Sequence, residues 1–226
     1  MEFFGRRLAI SVGLAAALAM GGLIPAQAIG VEEQSTGSVT RSTTTVVNEQ
    51  CADQVREINE ELGDPVADGI EVCDAKIETT STTGVVTDAE IDAAAAVGEL
   101  TIPEATALKA KKKKKPIYKR SWDNGYLSGV VYERHTGTTY YDGSKAWIKK
   151  YRGKTGKHTC HAQGSWAVGW VVTPLSCGKP KAGKTADAVH KFDTALVFKG
   201  SPIRLTVGLH LRVSNKGEPK AWQVGG

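Results

Sequence analysis

Between residues 29 and 108 the chain has no Phe, Tyr or Trp, and it sets three basic residues against seventeen acidic ones, a net charge of −14. Eighty residues without an aromatic ring bury little apolar area, and a core of that length is marginal even with larger side chains. The composition therefore predicts a weakly structured acidic segment, propeptide-like or a spacer, with one or two short helices. Catalytic signatures are missing too. There is no phosphate-cradling Gly-Lys loop, no H-E-x-x-H helix and no EF-hand loop, and Gly164-Ser165-Trp166-Ala167-Val168-Gly169 lacks the G-x-S-x-G spacing. No C-x-x-C knuckle occurs, which argues against a four-cysteine zinc site. No cofactor or metal is expected on these grounds.

Beyond residue 28 no run approaches the roughly 20 apolar residues of a membrane span. At the start, Arg6-Arg7 leads into a mildly apolar run of small residues, Leu8 to Met20, followed by Pro25-Ala26-Gln27-Ala28. Positive end, apolar stretch and small-x-small site in that order predict a signal peptide over 1–28 and a secreted, extracellular mature chain with no transmembrane span. The four cysteines, Cys51, Cys73, Cys160 and Cys177, suit that address. An even number in an exported chain implies disulfides. Three pairings exist, and pairing within each half, Cys51 with Cys73 and Cys160 with Cys177, is the simplest. Each bridge would close a loop worth on the order of 3 kcal/mol in the chain-entropy model.

The boundary between halves is the lysine-rich stretch 109–116. Residues 109–226 hold twenty-four Lys and Arg against six acids, a net +18, and all five Trp and all six Tyr lie between Tyr118 and Trp222. Five consecutive lysines repel and stay solvated, so 109–116 reads as an exposed linker, open to cleavage, between the acidic segment 29–108 and a basic domain, 117–226. Opposite charges on one chain attract, and the acidic segment is expected to cover the basic domain.

The local pattern after Pro116 is strand-like. Runs at Leu127–Tyr132, Thr138–Tyr141, Ala146–Tyr151, Ser165–Val172, Ala188–Phe198 and Ala221–Val224 are rich in β-branched and aromatic residues, with Asp142-Gly143 as a hairpin turn. Ile203 to Val213 alternates apolar and polar over eleven residues, one buried face and one wet basic face. The fold class expected is all-β, an antiparallel β-sandwich or barrel. In the acidic half, Val55, Ile58 and Leu62 recur at helical spacing, Gly69 to Glu78 reads as a short strand, and Thr87-Asp88-Ala89-Glu90 is a capping box that opens a second helix.

Three functional readings follow. The first is binding of an anionic extracellular partner, such as a wall polymer, a membrane surface or nucleic acid. Its residues are Lys145, Lys149, Lys150, Arg152, Lys154 and Lys157, interleaved with Trp147 and Tyr151 as stacking platforms. The second is a small secreted hydrolase, ribonuclease-like or glycan-directed, with Glu133 and His135 as base and acid. On a strand, Arg134 would point away from both. The third is a disulfide-stabilised inhibitor or structural module. His158 and His161, three apart around Cys160, lack a third ligand and read as surface-loop histidines. His190 and Asp193 lack a serine with which to complete a triad.

Overall fold

The buried face expected at Ile203 to Val213 is realised in full in the computed structural model, which describes residues 37–129, 131–161 and 171–225. Ile203, Leu205, Val207, Leu209, Leu211 and Val213 are all buried, while Arg204 and Thr206 face solvent. The chain runs β1 (Val39–Val47), α1 (Glu49–Leu62), a 3-10 turn (Ile70–Cys73), β2 (Asp74–Val85), α2 (Asp88–Ala96), α3 (Ile102–Lys114), β3 (Tyr118–Ser128), β4 (Val131–Tyr141), β5 (Ala146–Trp147), β6 (Lys157–His161), β7 (Val171–Gly178), β8 (Thr185–Phe198), β9 (Ser201–Ser214) and β10 (Pro219–Val224). Two antiparallel sheets result. The first has the order β1-β2-β3-β4-β5, with β6 along the rest of β4, and the second the order β10-β9-β8-β7. Between residues 117 and 225 no helix occurs among the described residues, so the all-β reading of the basic half holds.

Inward residues of the two sheets share their cores. Ile77 on β2 and Tyr126 on β3 cluster with Phe192, Leu205, Val207 and Leu209 of the second sheet, closed at one end by Cys51, Ala52 and Val55 of α1. A second cluster joins Trp122, Tyr141 and Ile148 to Ala186, Ala188, Leu211 and Val213. α2 and α3 pack through Ile91, Ala94, Ala105 and Leu108 around Trp147 and Ile117.

From Val39 onward the acidic segment differs from its expected weak structure. Within it the Thr-rich residues 79–83 belong to β2, which pairs with β3 over ten residues, from Lys76↔Leu127 to Val85↔Tyr118. The aromatic area that this segment lacks comes from across the ladder, from Trp122 and Tyr126. Inward Thr79 and Ser81 are satisfied there as well, by Asn124 (2.7 Å) and Arg120 (2.6 Å). Ile70–Cys73, expected within a strand, forms the 3-10 turn that brings Cys73 to Cys51.

The lysine run is also not an extended linker, because residues 109–114 are the last turns of α3. Thr101 and Glu104 form a second capping box, with Pro103 in the first turn, and lysine near a helix C-terminus is favoured by the macrodipole. Self-repulsion is relieved by α2: Lys112 pairs with Asp88 (2.6 Å) and Lys109 with Asp92 (2.5 Å). The pairing holds the Asp88 carboxyl below the usual carboxylate range. The first capping box, Thr87 with Glu90, forms as its sequence implies.

The Leu127–Tyr132 run, expected as one strand, is divided between two, with Leu127 and Ser128 ending β3 and Val131 and Tyr132 opening β4. Ser128 and Val131 face each other as the last pair of this ladder, and Gly129 at φ 55° supplies left-handed backbone where the chain leaves β3. Asp142 closes the next turn, its Oδ1 accepting from the Ser144 and Lys145 amides. Both disulfides pair within their halves, with Cα–Cα distances of 5.4 Å for Cys51–Cys73 and 5.9 Å for Cys160–Cys177. The second joins β6 to β7 and so ties the two sheets together. Residues 1–28, expected as a signal peptide, and most of the run 165–172, expected as a strand, lie outside the described residues. Among those described, no helix is long and apolar enough to cross a membrane.

Candidate functional site

Two sets of side chains stand out, one on the surface and one inside. The surface set joins the lysines of α3 to those of the 145–157 loops, about thirty residues away in sequence. Arg152 bridges them: its guanidinium donates to Asp142 Oδ2 (2.7 Å) and to the Lys115 carbonyl (3.2 Å). Arg152 sits at φ 50° with Gly153 at φ 74°, a turn that folds the loop back onto the helix. Lys111, Lys150 and Arg152 then line one groove with Glu104, and Lys150, Lys154 and Lys157 line the next.

Not all of the expected binding residues are available to a ligand. Lys145, Lys149, Lys150 and Lys157 are exposed. Lys150 faces Glu104 at 3.5 Å, a surface pair of small energetic weight. Arg152 is occupied by Asp142, whose carboxyl is held low, against the desolvation that opposes it, by the Lys145 and Ser144 amides, Arg152 and Lys115. Lys154 is 7% exposed, and burial lowers its ammonium pKa. Trp147 is wholly buried and donates its indole N–H to the Lys154 carbonyl (3.1 Å). Tyr151 packs edge-on against Trp147, with Lys145 over its ring at 4.8 Å. The two aromatics expected as stacking platforms are thus core and half-core. An alternating aromatic-basic text is equally the text of a strand with a buried face, which is why the sequence reading included them.

The interior set is a polar layer between the sheets. Glu133 and His135, successive inward residues of β4, have no solvent exposure, and Arg134 between them points outward, its Nε 2.7 Å from Asp123. Alternation also separates the other pairs. His158 points in and His161 out, where Nε2 meets Thr136 Oγ1 (2.9 Å). His190 points in, while Asp193 accepts from Thr206 outside (2.7 Å). His158 is 4% exposed, not a surface-loop residue.

The hydrogen bonds of this layer have one self-consistent direction. His158 Nδ1 lies 2.9 Å from the Gly178 carbonyl, so it carries the proton, and neutral His158 presents the Nε2 lone pair. His135 Nδ1, 3.0 Å away, donates to it. His135 Nε2 then accepts from the Asn124 amide (2.8 Å), which also donates to the His210 carbonyl (3.2 Å), while Asn124 Oδ1 accepts from Thr79. This relay crosses β2, β3, β4, β6 and β7 with neutral groups only. Burial, then the neighbouring histidines, push the His135 pKa well below 6.5; burial brings His158 to about 4, against the hydrogen bond to Gly178. His190 sits beside the relay, Nε2 at 2.9 Å from Glu133, its ring 6.2 Å from that of His135.

Asn124 satisfies three partners at once, so Asn124→Ala is expected to destabilise the fold by about 2–3 kcal/mol or more, read as a lower urea midpoint. A midpoint equal to that of the wild type would contradict the relay. Sequence reasoning missed Asn124 and Thr79 altogether. The inward parity of Asn124 relative to Trp122 and Tyr126 was the available signal.

Comparison with family models, with curated proteins and with solved structures found no match to this chain.

Proposed function

We propose that the protein is exported and that its basic face binds an anionic polymer outside the cell by charge alone. The observation that carries this reading is the convergence of α3 with the 145–157 loops. Lys111, Lys150 and Arg152 line one groove there and Lys150, Lys154 and Lys157 the next; on α3 and these loops Lys111, Lys113, Lys114, Lys145, Lys149 and Lys157 have no ion pair among the described residues, while the neighbouring acids are engaged by Lys109, Lys112, Lys115, Lys150 and Arg152. The buried Trp147 and half-buried Tyr151 offer no ring to stack on a base or sugar. A phosphate-bearing wall polymer, read by lysine point charges, suits such a face better than nucleic acid read by stacking. In this reading the acidic segment supports the basic face, since its α2 carboxylates hold α3 in place. Glu133 and His135 stand in the hydrogen-bonded interior, which does not favour the hydrolase reading.

The test is a salt titration of the full chain on a soluble poly(glycerol phosphate), with single-stranded DNA and anionic vesicles as alternatives. Log affinity should fall with log salt with a slope of roughly 0.7–0.9 per phosphate neutralised. Replacing Lys113, Lys114, Lys145 and Lys149 by Ala should reduce that slope by about three. A flat titration, or a slope unchanged in the variant, would sink the proposal. Preference for DNA or for vesicles would reassign the partner.

A further inference from the structure

The interior relay ends against the second disulfide, and the atoms that meet there are zinc-ligand types. One ring nitrogen each of His135 and His158 and Cys160 Sγ all lie within 4.8 Å of one another. His135 Nδ1 to His158 Nε2 is 3.0 Å, Cys160 Sγ to His158 Nε2 is 3.5 Å, and Cys177 Sγ to the same nitrogen is 3.8 Å. A tetrahedral zinc with Zn–N of about 2.0–2.1 Å and Zn–S of about 2.3 Å needs edges of about 3.3 Å between nitrogens and about 3.6 Å between nitrogen and sulfur. Three ligand residues are thus already within reach of one ion, and Cys177 Sγ, bonded to Cys160 and 3.7–3.8 Å from the two His158 ring nitrogens, is the fourth donor that breaking the sulfur–sulfur bond would free to complete a Cys2His2 shell.

We propose that Cys160–Cys177 is a redox-gated metal site: reduced, the pair joins His135 and His158 to bind one zinc-class divalent cation. The balance is simple. A dithiol reductant supplies two electrons and two protons, the sulfur–sulfur bond breaks to give two thiols, and the reductant leaves as its own disulfide. Binding the cation releases the two thiol protons, and two thiolates with one divalent ion leave a neutral centre, the only charge state that a buried site tolerates well. Cys177 is exposed, so reductant and ion have an entry.

The surroundings suit the ligands. Donation of His158 Nδ1–H to the Gly178 carbonyl is the orienting bond that metal-bound imidazoles make. Ligation by His135 through Nδ1 moves its proton to Nε2, against Asn124, whose amide turns to accept it. Because β6 and β7 belong to different sheets, either the disulfide or the ion closes the same seam. Reduction then exchanges a covalent staple for a coordinate one.

Cobalt(II) titration of the full chain, oxidised and then reduced by a dithiol that is removed under anaerobic conditions, tests this. The reduced chain should bind one equivalent with the visible bands of tetrahedral, thiolate-ligated cobalt, and zinc should displace it. The oxidised chain, folded and sharing every other residue, should show none. Cys160→Ser and His135→Gln should each weaken binding by more than about 100-fold. Absence of the bands in the reduced wild type overturns the proposal. So does their persistence in Cys160→Ser, which would place the ion on Cys51 and Cys73. Polymer binding through the lysine face is a separate readout, and its failure leaves this test intact.

Discussion

A chain cut once within the lysine run is expected to stay together, whereas residues 116–226 made alone are expected not to fold. Neither disulfide crosses the cut, so only non-covalent contacts would hold the pieces. They are extensive: the ten-residue β2–β3 ladder, the shared cluster of Ile77, Tyr126, Phe192 and Leu209, and α2 and α3 around Trp147. Without residues 29–108, β3 becomes an open edge, Tyr126 and Phe192 lose Ile77, Ala75 and the α1 face, and Arg120 and Asn124 lose their partners on β2. Losing several buried side chains at about 1.5–3 kcal/mol each exceeds the whole stability of an ordinary domain, about 5–15 kcal/mol. Size-exclusion chromatography of the nicked chain should give one peak of full mass that separates only in denaturant. The fragment should lack a cooperative urea transition. Two peaks from the nicked chain, or cooperative unfolding of the fragment, would show that the halves are independent.

Mild acid is expected to destabilise the protein before its carboxylates are protonated. The sign follows from His135 and His158. Both are held neutral in the fold, with pKa values below the usual 6.5, His158 at about 4, so the unfolded chain binds more protons between those limits. Stability is then fully present above about pH 6.5 and falls as the pH drops, the His158 part levelling off below about pH 4. The His158 shift alone corresponds to about 3 kcal/mol. His190, His161, His210, Lys179 and Glu133 also face or border this layer. Paired carboxylates such as Asp88, Glu90 and Asp142 are held below their usual values of 3.8 to 4.5 and so release their contributions at lower pH. Urea midpoints from neutral pH to pH 4 should show the drop, and His158→Gln should be less stable at neutral pH yet flatter in its pH dependence. A wild-type midpoint constant down to pH 4 would show that the relay is not neutral.

Much of the architecture can be read locally. β9 carries its alternation in its own letters, the Thr87 capping box opens α2 where expected, Asp142-Gly143 turns the chain, and the cysteines pair within their halves. What escaped reading depends on residues far away in sequence. β1 and β2 have few apolar letters, so period two carries no hydrophobic signal there; they are strands because β3 supplies rings and polar partners. The lysine run is helical because Asp88 and Asp92 stand beside it. Glu133 and His135 were singled out as base and acid, but the sequence does not say that the second sheet covers their face of β4 and leaves both without solvent exposure.

The amino-acid sequence by itself determined the charge division, the location of the aromatics, the strand-rich character of the basic half and the period-two burial of β9, because these follow from composition and from neighbours along one strand. Only the tertiary structure decided that the acidic and basic halves share one sheet, that Trp147 and Lys154 are buried while Lys145, Lys149, Lys150 and Lys157 remain outside, and that His135, His158, Cys160 and Cys177 meet. The physical reason is that burial and hydrogen-bond satisfaction are properties of a site. Here each site is completed by strands that lie next to one another in space and far apart in the chain.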